Sequence, residues 1–255
     1  IALTSGYTNC LSLMSIVAAM MIMLYVGTMD DIMGLSPKLR FIVEIGVIGL
    51  LIFVNDKYIN NFDGLWGLYE IAPIIAIPLT IFATVGIINA VNLIDGVNGL
   101  SSGYCIMASI VFGTVLTIIG NTPMTILASV SVGSLLPFFF HNVFGKTSRM
   151  FIGDGGTLVM GVVMSTFVVN CLTSQASLSA IDPNFGLVPF TLATMSIPVF
   201  DTLRVMVSRI LRRTSPFHPD KTHLHHMFID MGFSHAGTTF SILSLNTIII
   251  GSQIL

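Results

Sequence analysis

Residues that could carry chemistry are gathered in four short polar segments of an otherwise apolar chain. These are the acid segment (residues 27–31), the asparagine segment (89–100), the glycine-aspartate segment (151–156) and the histidine segment (219–226). Polar side chains beside long apolar runs are costly near a membrane and tend to be functional. Carboxylate and carboxamide oxygens are ligands that suit Mg²⁺, so the segments favour metal and phosphate chemistry.

The acid segment ends in Asp30 and Asp31, at the close of a long apolar run. Two carboxylates at the C-terminal end of a helix face the negative end of its dipole, which costs about 0.3–1 kcal/mol per charge. The pair therefore favours a bound cation or proton, although a solvated helix end stays an open alternative. Lys38 and Arg40 follow, either as anion-binding groups or as membrane-surface anchors.

In the asparagine segment, Asn89, Asn92 and Asp95 recur at a spacing of three. On a helix or turn this spacing allows them to share a face. The alternative is a polar contact between helices. Gly96 and Gly99 allow tight turns and a close approach of the backbone to a ligand.

In the glycine-aspartate segment, Asp154 stands just before another apolar run. It is either an ordinary N-cap or a Mg²⁺ ligand at a helix N-terminus whose amides face phosphate. Phe151 either stacks on a base or anchors in the membrane interface.

The histidine segment carries His223, His225 and His226. No cysteine is nearby and the spacing is not typical of zinc, so anion binding is the preferred interpretation. A solvated loop is the alternative. Further back, Asp201 is expected to pair with Arg204 at i, i+3.

Composition places these segments in a membrane protein. The 255 residues are 54% hydrophobic and 9% charged, against about 25% charged residues in soluble domains. We expect an all-α, polytopic helix bundle forming one domain, 1–255, because apolar runs of about 17–25 residues favour spanning helices. The eight expected spans are 10–29, 39–54, 71–91, 100–119, 123–140, 157–173, 187–206 and 239–255.

Eight spans would place all four polar segments on one side. The links on that side, with the adjoining helix ends, hold nine of the ten basic residues, and only Lys57 falls on the other side. By the positive-inside rule this side is cytoplasmic. The segments are therefore predicted to form one cytoplasmic site.

In this order, the four segments resemble those of the polyprenyl-phosphate N-acetylhexosamine-1-phosphate transferase family, especially its bacterial undecaprenyl-phosphate GlcNAc-1-phosphate branch. The resemblance covers residues 30–226 and implies a multi-pass enzyme of the bacterial inner membrane that initiates cell-envelope polysaccharide synthesis. Its substrates would be a UDP-HexNAc and polyprenyl phosphate, and UMP would be one of its products. Its cofactor would be Mg²⁺, for which Mn²⁺ could substitute. No nucleic acid partner is expected. The protein is expected to form a homodimer.

The resemblance also implies residue roles. Asp154 and Asn92 would hold the metal. The substrate-binding residues would be Lys38, Arg40, Asn89, Asn98, Phe151, His223, His225 and His226. The catalytic residues would be Asp30, Asp31, Asp95 and Asp154.

The sequence departs from the family pattern at two places. Asn98 stands where bacterial members commonly have a second aspartate, so no catalytic acid is expected there. Helices and a Gly-Gly loop that precede the acid pair in the family are not seen, and we expect N-terminal helices to be missing. The His-x-His-His form favours the GlcNAc-1-phosphate branch over the alternative, a phospho-MurNAc-pentapeptide translocase; a transporter is the alternative of another class.

Overall fold

The fold is a bundle of α-helices, as the sequence predicts. A computed structural model describes residues 2–145, 150–174, 185–213 and 222–253. Within those ranges the helices are α1 (Ala2–Met33), α2 (Pro37–Asn55), α3 (Pro73–Leu93), α4 (Leu100–Ile118), α5 (Thr122–Phe144), α6 (Gly153–Leu172), α7 (Leu187–Thr194), α8 (Ser196–Leu211), α9 (Leu224–Asp230) and α10 (His235–Gly251). A 3₁₀ turn, Leu65–Gly67, and an isolated bridge between Asn61 and Glu70 occupy the link between α2 and α3.

Each of the eight expected spans lies largely in helix, but the count of eight membrane crossings is not confirmed. Five described helices (α1, α3, α4, α5 and α6) are long and apolar enough to span, and α7 with α8 makes a sixth if the bent pair crosses once. α2 carries three charged residues in 19 positions, and α10 is 17 residues long. The chain is therefore a multi-pass membrane protein with five or six candidate spans.

A short link of three residues, 34–36, joins α1 to α2. Gly34 adopts the left-handed conformation that ends α1, with φ of 67°, as glycine does most readily after a helix. The Ser36 hydroxyl accepts a hydrogen bond from the Leu39 amide and Pro37 opens α2. This three-residue link places the start of α2 beside the end of α1 and so beside the acid pair.

α6 is the central helix of the bundle. Most of its residues are apolar and buried, and it packs against α1, α3, α4, α5 and α7. Glycine permits two of these contacts: a Cβ on Gly27 would lie 2.5 Å from the backbone of Asp154 and Gly155, and one on Gly161 would lie 2.7 Å from the Cα of Ile88. α1 and α3 therefore approach the α6 backbone closely.

Polar contacts fix the end of the bundle opposite the four segments. Asn55 donates to the Ser15 hydroxyl at 3.1 Å, and the Lys57 ammonium donates to Asn170 at 2.6 Å. Burial lowers the pKa of Lys57. These contacts join α1 to α2, and the link that follows α2 to α6.

A bend of 71° separates α7 from α8. Asn246 of α10 holds the break from both sides: its amide donates to the Thr194 carbonyl at 3.2 Å and its oxygen accepts from the Ser196 hydroxyl at 2.9 Å. The Tyr104 hydroxyl also donates to the Thr194 carbonyl, at 3.0 Å. The span predicted over 187–206 contains Pro198, for which a kink is expected, and it is bent just before that residue. Pro198 has no amide hydrogen to donate to the Thr194 carbonyl four residues earlier, and the Asn246 and Tyr104 side chains donate to this carbonyl instead.

The close approach of α1 to α6 predicts that Gly27→Ala is destabilising. The added methyl would meet backbone atoms, and relieving such overpacking costs about 1–3 kcal/mol. Thermal unfolding in detergent should show a lower midpoint for Gly27→Ala. Gly46→Ala in α2 is the matched control, because a Cβ there meets nothing within 4 Å; an equal midpoint for the two variants would contradict the close contact.

Candidate active site

Arg40 lies at the centre of the converging helix ends. Its Nη1 lies 3.0 Å from Asp30 Oδ2 and 3.4 Å from Asp154 Oδ2, and its Nη2 donates to Asn89 Oδ1 at 3.3 Å. The side chain is only 17% exposed. One guanidinium therefore joins the acid, asparagine and glycine-aspartate segments, which the sequence predicted to meet.

Glu44 is a site residue that the sequence analysis missed. Its side chain is fully buried one turn beyond Arg40, and its Oε1 lies 3.6 Å from Arg40 Nε. Asn89 Nδ2 donates to Glu44 Oε2 at 2.5 Å. An acid within the apolar run of α2 was the available signal, since such residues are rare and usually paired.

Asp31 caps α6 from another helix. Its Oδ1 accepts from the Asp154 amide at 3.0 Å and its Oδ2 from the Gly155 amide at 3.2 Å. The residue in the N-cap position of α6 is Ile152, which supplies no side-chain cap. The interpretation of Asp154 as an ordinary N-cap is therefore wrong. The anion held by these amides is the Asp31 carboxylate, which leaves the Asp154 carboxylate facing the site.

Asn92 and Asp154 are in direct contact. Asn92 Nδ2 donates to Asp154 Oδ1 and to the Thr157 hydroxyl, both at 2.8 Å. Thr157 in turn donates to the Gly153 carbonyl at 3.1 Å. These bonds place one oxygen of Asp154 against α3 and the other toward Arg40.

Asp95 lies in the link between α3 and α4. Its Oδ1 accepts a short, 2.5 Å hydrogen bond from the Ser101 hydroxyl. Burial raises the pKa of Asp95; the bond from Ser101 opposes this, and the Asp154 and Asp31 carboxylates raise it further. Asp95 is thus within electrostatic range of the other acids, although it does not share the helix that carries Asn89 and Asn92.

Asp201 anchors the described part of the histidine segment. Its carboxylate lies 2.9 Å from His223 Nδ1, accepts from the Leu224 amide at 3.0 Å, and pairs with Arg204 at 2.7 Å. The predicted Asp201–Arg204 pair is confirmed. The bond to His223 was not predicted, because 22 residues separate the partners.

His225 joins the histidine segment to the asparagine segment. A Cβ on Gly96 would lie 2.0 Å from His225 Nε2, so the imidazole occupies the space that glycine leaves. Burial, together with the neighbouring His226 and His223, lowers the pKa of His225 to about 4, while Asp201 opposes this shift. At neutral pH His225 is therefore an uncharged hydrogen-bonding group.

Three predicted substrate-binding residues lie apart from this network. Lys38 is exposed and Phe151 is 77% exposed, and within the described ranges neither makes a hydrogen bond or ring contact with another side chain. Asn98 contacts Thr239 through its backbone carbonyl, at 2.8 Å. Residues 219–221 of the histidine segment, and Lys146 and Arg149 on the predicted cytoplasmic side, lie outside the described residues.

The donor set fits a hard cation in its chemistry. Asp30 and Asp154 carry carboxylate oxygens and Asn92 a carboxamide oxygen, and no thiolate lies among them, which favours Mg²⁺ over softer metals. The Asn92 nitrogen is the atom that faces Asp154 here, so its oxygen would reach a metal beside Asp154 only after the amide turned. Within the part of the chain that the structure describes, no group of three or more His, Cys, Asp or Glu residues is arranged as a metal site. A metal bound here would therefore need the Asp154 oxygens that now face Asn92 and Arg40.

A family model matches more than half of the chain. The model described as glycosyl transferase family 4 matches residues 13–172, which include three of the four polar segments. The chain belongs to glycosyl transferase family 4. The match confirms the resemblance drawn from the polar segments.

Named relatives extend the match across the histidine segment. The chain is 27% identical over 236 residues to the undecaprenyl-phosphate alpha-N-acetylglucosaminyl 1-phosphate transferase of Escherichia coli (strain K12), covering 91% of this chain and 62% of that protein. It is 30% identical over 235 residues to a probable undecaprenyl-phosphate N-acetylglucosaminyl 1-phosphate transferase of Bacillus subtilis (strain 168), covering 91% and 63%. It is 29% identical over 248 residues to the decaprenyl-phosphate N-acetylglucosaminephosphotransferase of Mycolicibacterium smegmatis, covering 92% and 61%. The matched region thus spans a little over three fifths of each relative.

The cap on α6 predicts a stability loss for Asp31→Ala. The change leaves two helix amides without their acceptor, a loss of about 0.5–2 kcal/mol. Asp31→Asn keeps one acceptor oxygen and should lose less. Thermal unfolding in detergent measures both, with Asp230→Ala, an exposed acid at the end of α9, as the control. An Asp31→Ala midpoint equal to that of the control would show that Asp31 does not cap the helix.

Burial of His225 predicts a pH dependence. Its folded pKa of about 4 lies below the ordinary 6.5, so between these values the unfolded chain binds a proton that the folded chain does not. Stability from this group is complete above pH 6.5 and falls as pH drops toward 4. His225→Gln should flatten the fall in unfolding midpoint between pH 7.5 and 5. His235→Gln, at the exposed start of α10, should keep it; parallel curves for the two variants would refute the assignment.

Proposed function

We propose that this protein transfers a HexNAc-1-phosphate, with GlcNAc as the favoured sugar, from a UDP-sugar to polyprenyl phosphate and releases UMP. The names of the relatives support the lipid acceptor and the sugar phosphate. The candidate spans support an enzyme that meets its lipid within the bilayer. The His-x-His-His form of the histidine segment favours the GlcNAc-1-phosphate branch over the phospho-MurNAc-pentapeptide branch.

One observation carries the proposal. Asp30, Asp154 and Asn89 converge on the Arg40 guanidinium at one end of an apolar bundle. Fixed groups of alternating charge at a membrane boundary suit the joining of a lipid phosphate to a water-soluble diphosphate. Phosphoryl transfer depends mainly on such positioning and on charge neutralisation.

The reaction balances without any oxidant. An oxygen of the lipid phosphate forms a bond to the β-phosphorus of the UDP-sugar, and the bond from that phosphorus to the bridging oxygen breaks. The bridging oxygen leaves with UMP, and the sugar stays on the transferred phosphate. A phosphate monoester has a second pKa near about 6, so the attacking group is largely dianionic at neutral pH and Asp30 need not act as a strong base.

Individual residues have separate tasks in this proposal. Asp154 would hold Mg²⁺ or Mn²⁺, with the Asn92 amide turned so that its oxygen replaces its nitrogen beside Asp154, and the ion would supply neutralisation of the diphosphate charge. Arg40 and Lys38 supply positive charge toward the phosphates. Asp31 keeps α6 in place, so its role is to orient Asp154.

The nucleotide and the sugar meet the remaining predicted residues. Asp95, Asn98 and Phe151 are proposed for the uridine, where amide and carboxyl groups pair with the base edge and the ring stacks on it. His225, being neutral, can donate one hydrogen bond to the sugar phosphate, and His226 lies beside it with a ring-centroid separation of 4.3 Å.

The site is proposed to face the cytoplasm from the bacterial inner membrane. In the eight-span arrangement predicted from the sequence, nine of the ten basic residues belong to the links and helix ends on the side of the polar segments, which favours that side for the cytoplasm. Assembly as a homodimer stays a prediction.

UMP release tests the proposed reaction. Purified protein with undecaprenyl phosphate and UDP-GlcNAc should release UMP only when lipid and Mg²⁺ are both present. UMP from UDP-MurNAc-pentapeptide but not from UDP-GlcNAc would keep the reaction and change the branch. Absence of UMP with every UDP-sugar, in folded protein that includes the segments its relatives carry, would favour the transporter alternative.

Asp154→Asn separates metal-dependent chemistry from folding. The variant removes the charge while keeping the size of the side chain, so turnover should fall by at least about 100-fold, the loss typical of a displaced or unbalanced charge in a transition state. Asp63→Asn, in the link between α2 and α3 and away from the site, should keep full turnover. Full activity of Asp154→Asn would refute the metal assignment.

A further inference from the structure

The one glutamate inside the bundle has a single hydrogen-bond partner. Glu44 lies in α2 with its side chain fully buried, and α2 and α3 share a buried apolar cluster that includes Val47, Ile48, Val85 and Ile88. Its Oε2 accepts from Asn89, whereas its Oε1 has no hydrogen bond. Burying a carboxyl group in an apolar environment lowers the stability of the fold unless the group is hydrogen-bonded or paired. Only one of the two Glu44 oxygens is hydrogen-bonded, so the residue calls for an explanation beyond stability.

Asn89 is the neighbour whose orientation Glu44 decides. The Asn89 amide nitrogen donates both to Glu44 Oε2 at 2.5 Å and to the Val85 carbonyl at 2.9 Å. Both partners are acceptors, so the amide group is held with its nitrogen toward them. Its oxygen is then the atom that faces Arg40 Nη2, at 3.3 Å.

We propose that Glu44 is a positioning residue of the active site, which fixes the Asn89 amide and through it holds the Arg40 guanidinium between Asp30 and Asp154. The inference rests on the proposed function for its kinetic consequence. Without the acceptor on α2, the Asn89 amide can turn its nitrogen toward Arg40. Two donors would then face each other, and the guanidinium would lose its third support.

The distances identify the hydrogen bond as the main link. Glu44 Oε2 lies 2.5 Å from Asn89 Nδ2, whereas Glu44 Oε1 lies 3.6 Å from Arg40 Nε, and that nitrogen makes no hydrogen bond. A neutral acceptor of the same shape should therefore serve. Glutamine supplies one, and methionine fills nearly the same volume without supplying any.

Turnover compares these two replacements. Glu44→Met should lower kcat/KM for UMP release by about 100-fold, the cost of displacing a positioned group by about 1 Å. Glu44→Gln should stay within about threefold of the unaltered protein, because it keeps the acceptor. Glu70→Met, which changes the only other glutamate of the chain at an exposed position, should leave turnover unchanged.

Chemical labelling reads the position of Arg40 without relying on activity. Phenylglyoxal modifies accessible arginines, and peptide mass spectrometry reports each site. Arg40 should label several-fold faster in Glu44→Met than in Glu44→Gln or in the unaltered protein. Arg209, whose residue is 8% exposed in α8, serves as the internal control for general unfolding and should label at the same rate in all three.

A second variant covers the case in which Glu44→Met does not fold. Asn89→Ala removes the middle of the link, so Arg40 labelling should rise in the same way, and adding Glu44→Gln should change it no further. Unchanged Arg40 labelling in Asn89→Ala would overturn the proposal.

The remaining outcomes are distinct. Equal kcat/KM and equal Arg40 labelling for Glu44→Met and Glu44→Gln would overturn the positioning role. A folded protein that releases no UMP would overturn the proposed function, while the labelling ratio would still decide the role of Glu44.

Discussion

The Arg40 guanidinium is the group on which the arrangement of the site depends. Without it, Asp30 and Asp154 would bring two negative charges together at the edge of an apolar bundle, where such charges repel strongly. Arg40 places one positive charge between the two carboxylates and also reaches Asn89. Buried ion pairs add little net stability, but losing one partner is costly. The contacts of Arg40 therefore select one arrangement of α1, α2, α3 and α6.

The N-terminus of α6 supplies the second constraint. Asp31 caps it from α1, and Gly27, one turn earlier, allows α1 to approach the α6 backbone. Adjacent acids thereby have different partners: Asp30 faces Arg40 and Asp31 faces backbone amides. This division explains how a chain can place two carboxylates at a helix end that disfavours them, because each meets a positive charge or a helix dipole from another element.

The sequence predicted the helices and the convergence of the polar segments because both follow from local composition. Apolar runs predict helices, and the basic residues in the links between them predict that the four polar segments lie on the same side of the membrane. Contacts that need three-dimensional packing were not predictable: Asp31 reaches α6 across more than 120 residues, and Asp201 reaches His223 across 22. The break between α7 and α8 has a local signal in Pro198, whereas the contact of Asn246 with both sides of the break was not predictable because about 50 residues separate the partners. Glu44 was visible as an acid in an apolar run, but its partner Asn89 was not.

Placement of the β-phosphate tests the central account most directly. Vesicles containing the protein and undecaprenyl phosphate would receive Mg²⁺ and UDP-GlcNAc labelled with ³²P at the β-phosphate. The account predicts that the label moves into the lipid fraction as a diphosphate-linked sugar, while the released nucleotide is unlabelled UMP. Label retained in UDP, with sugar but no phosphate on the lipid, would contradict phosphosugar transfer at this site.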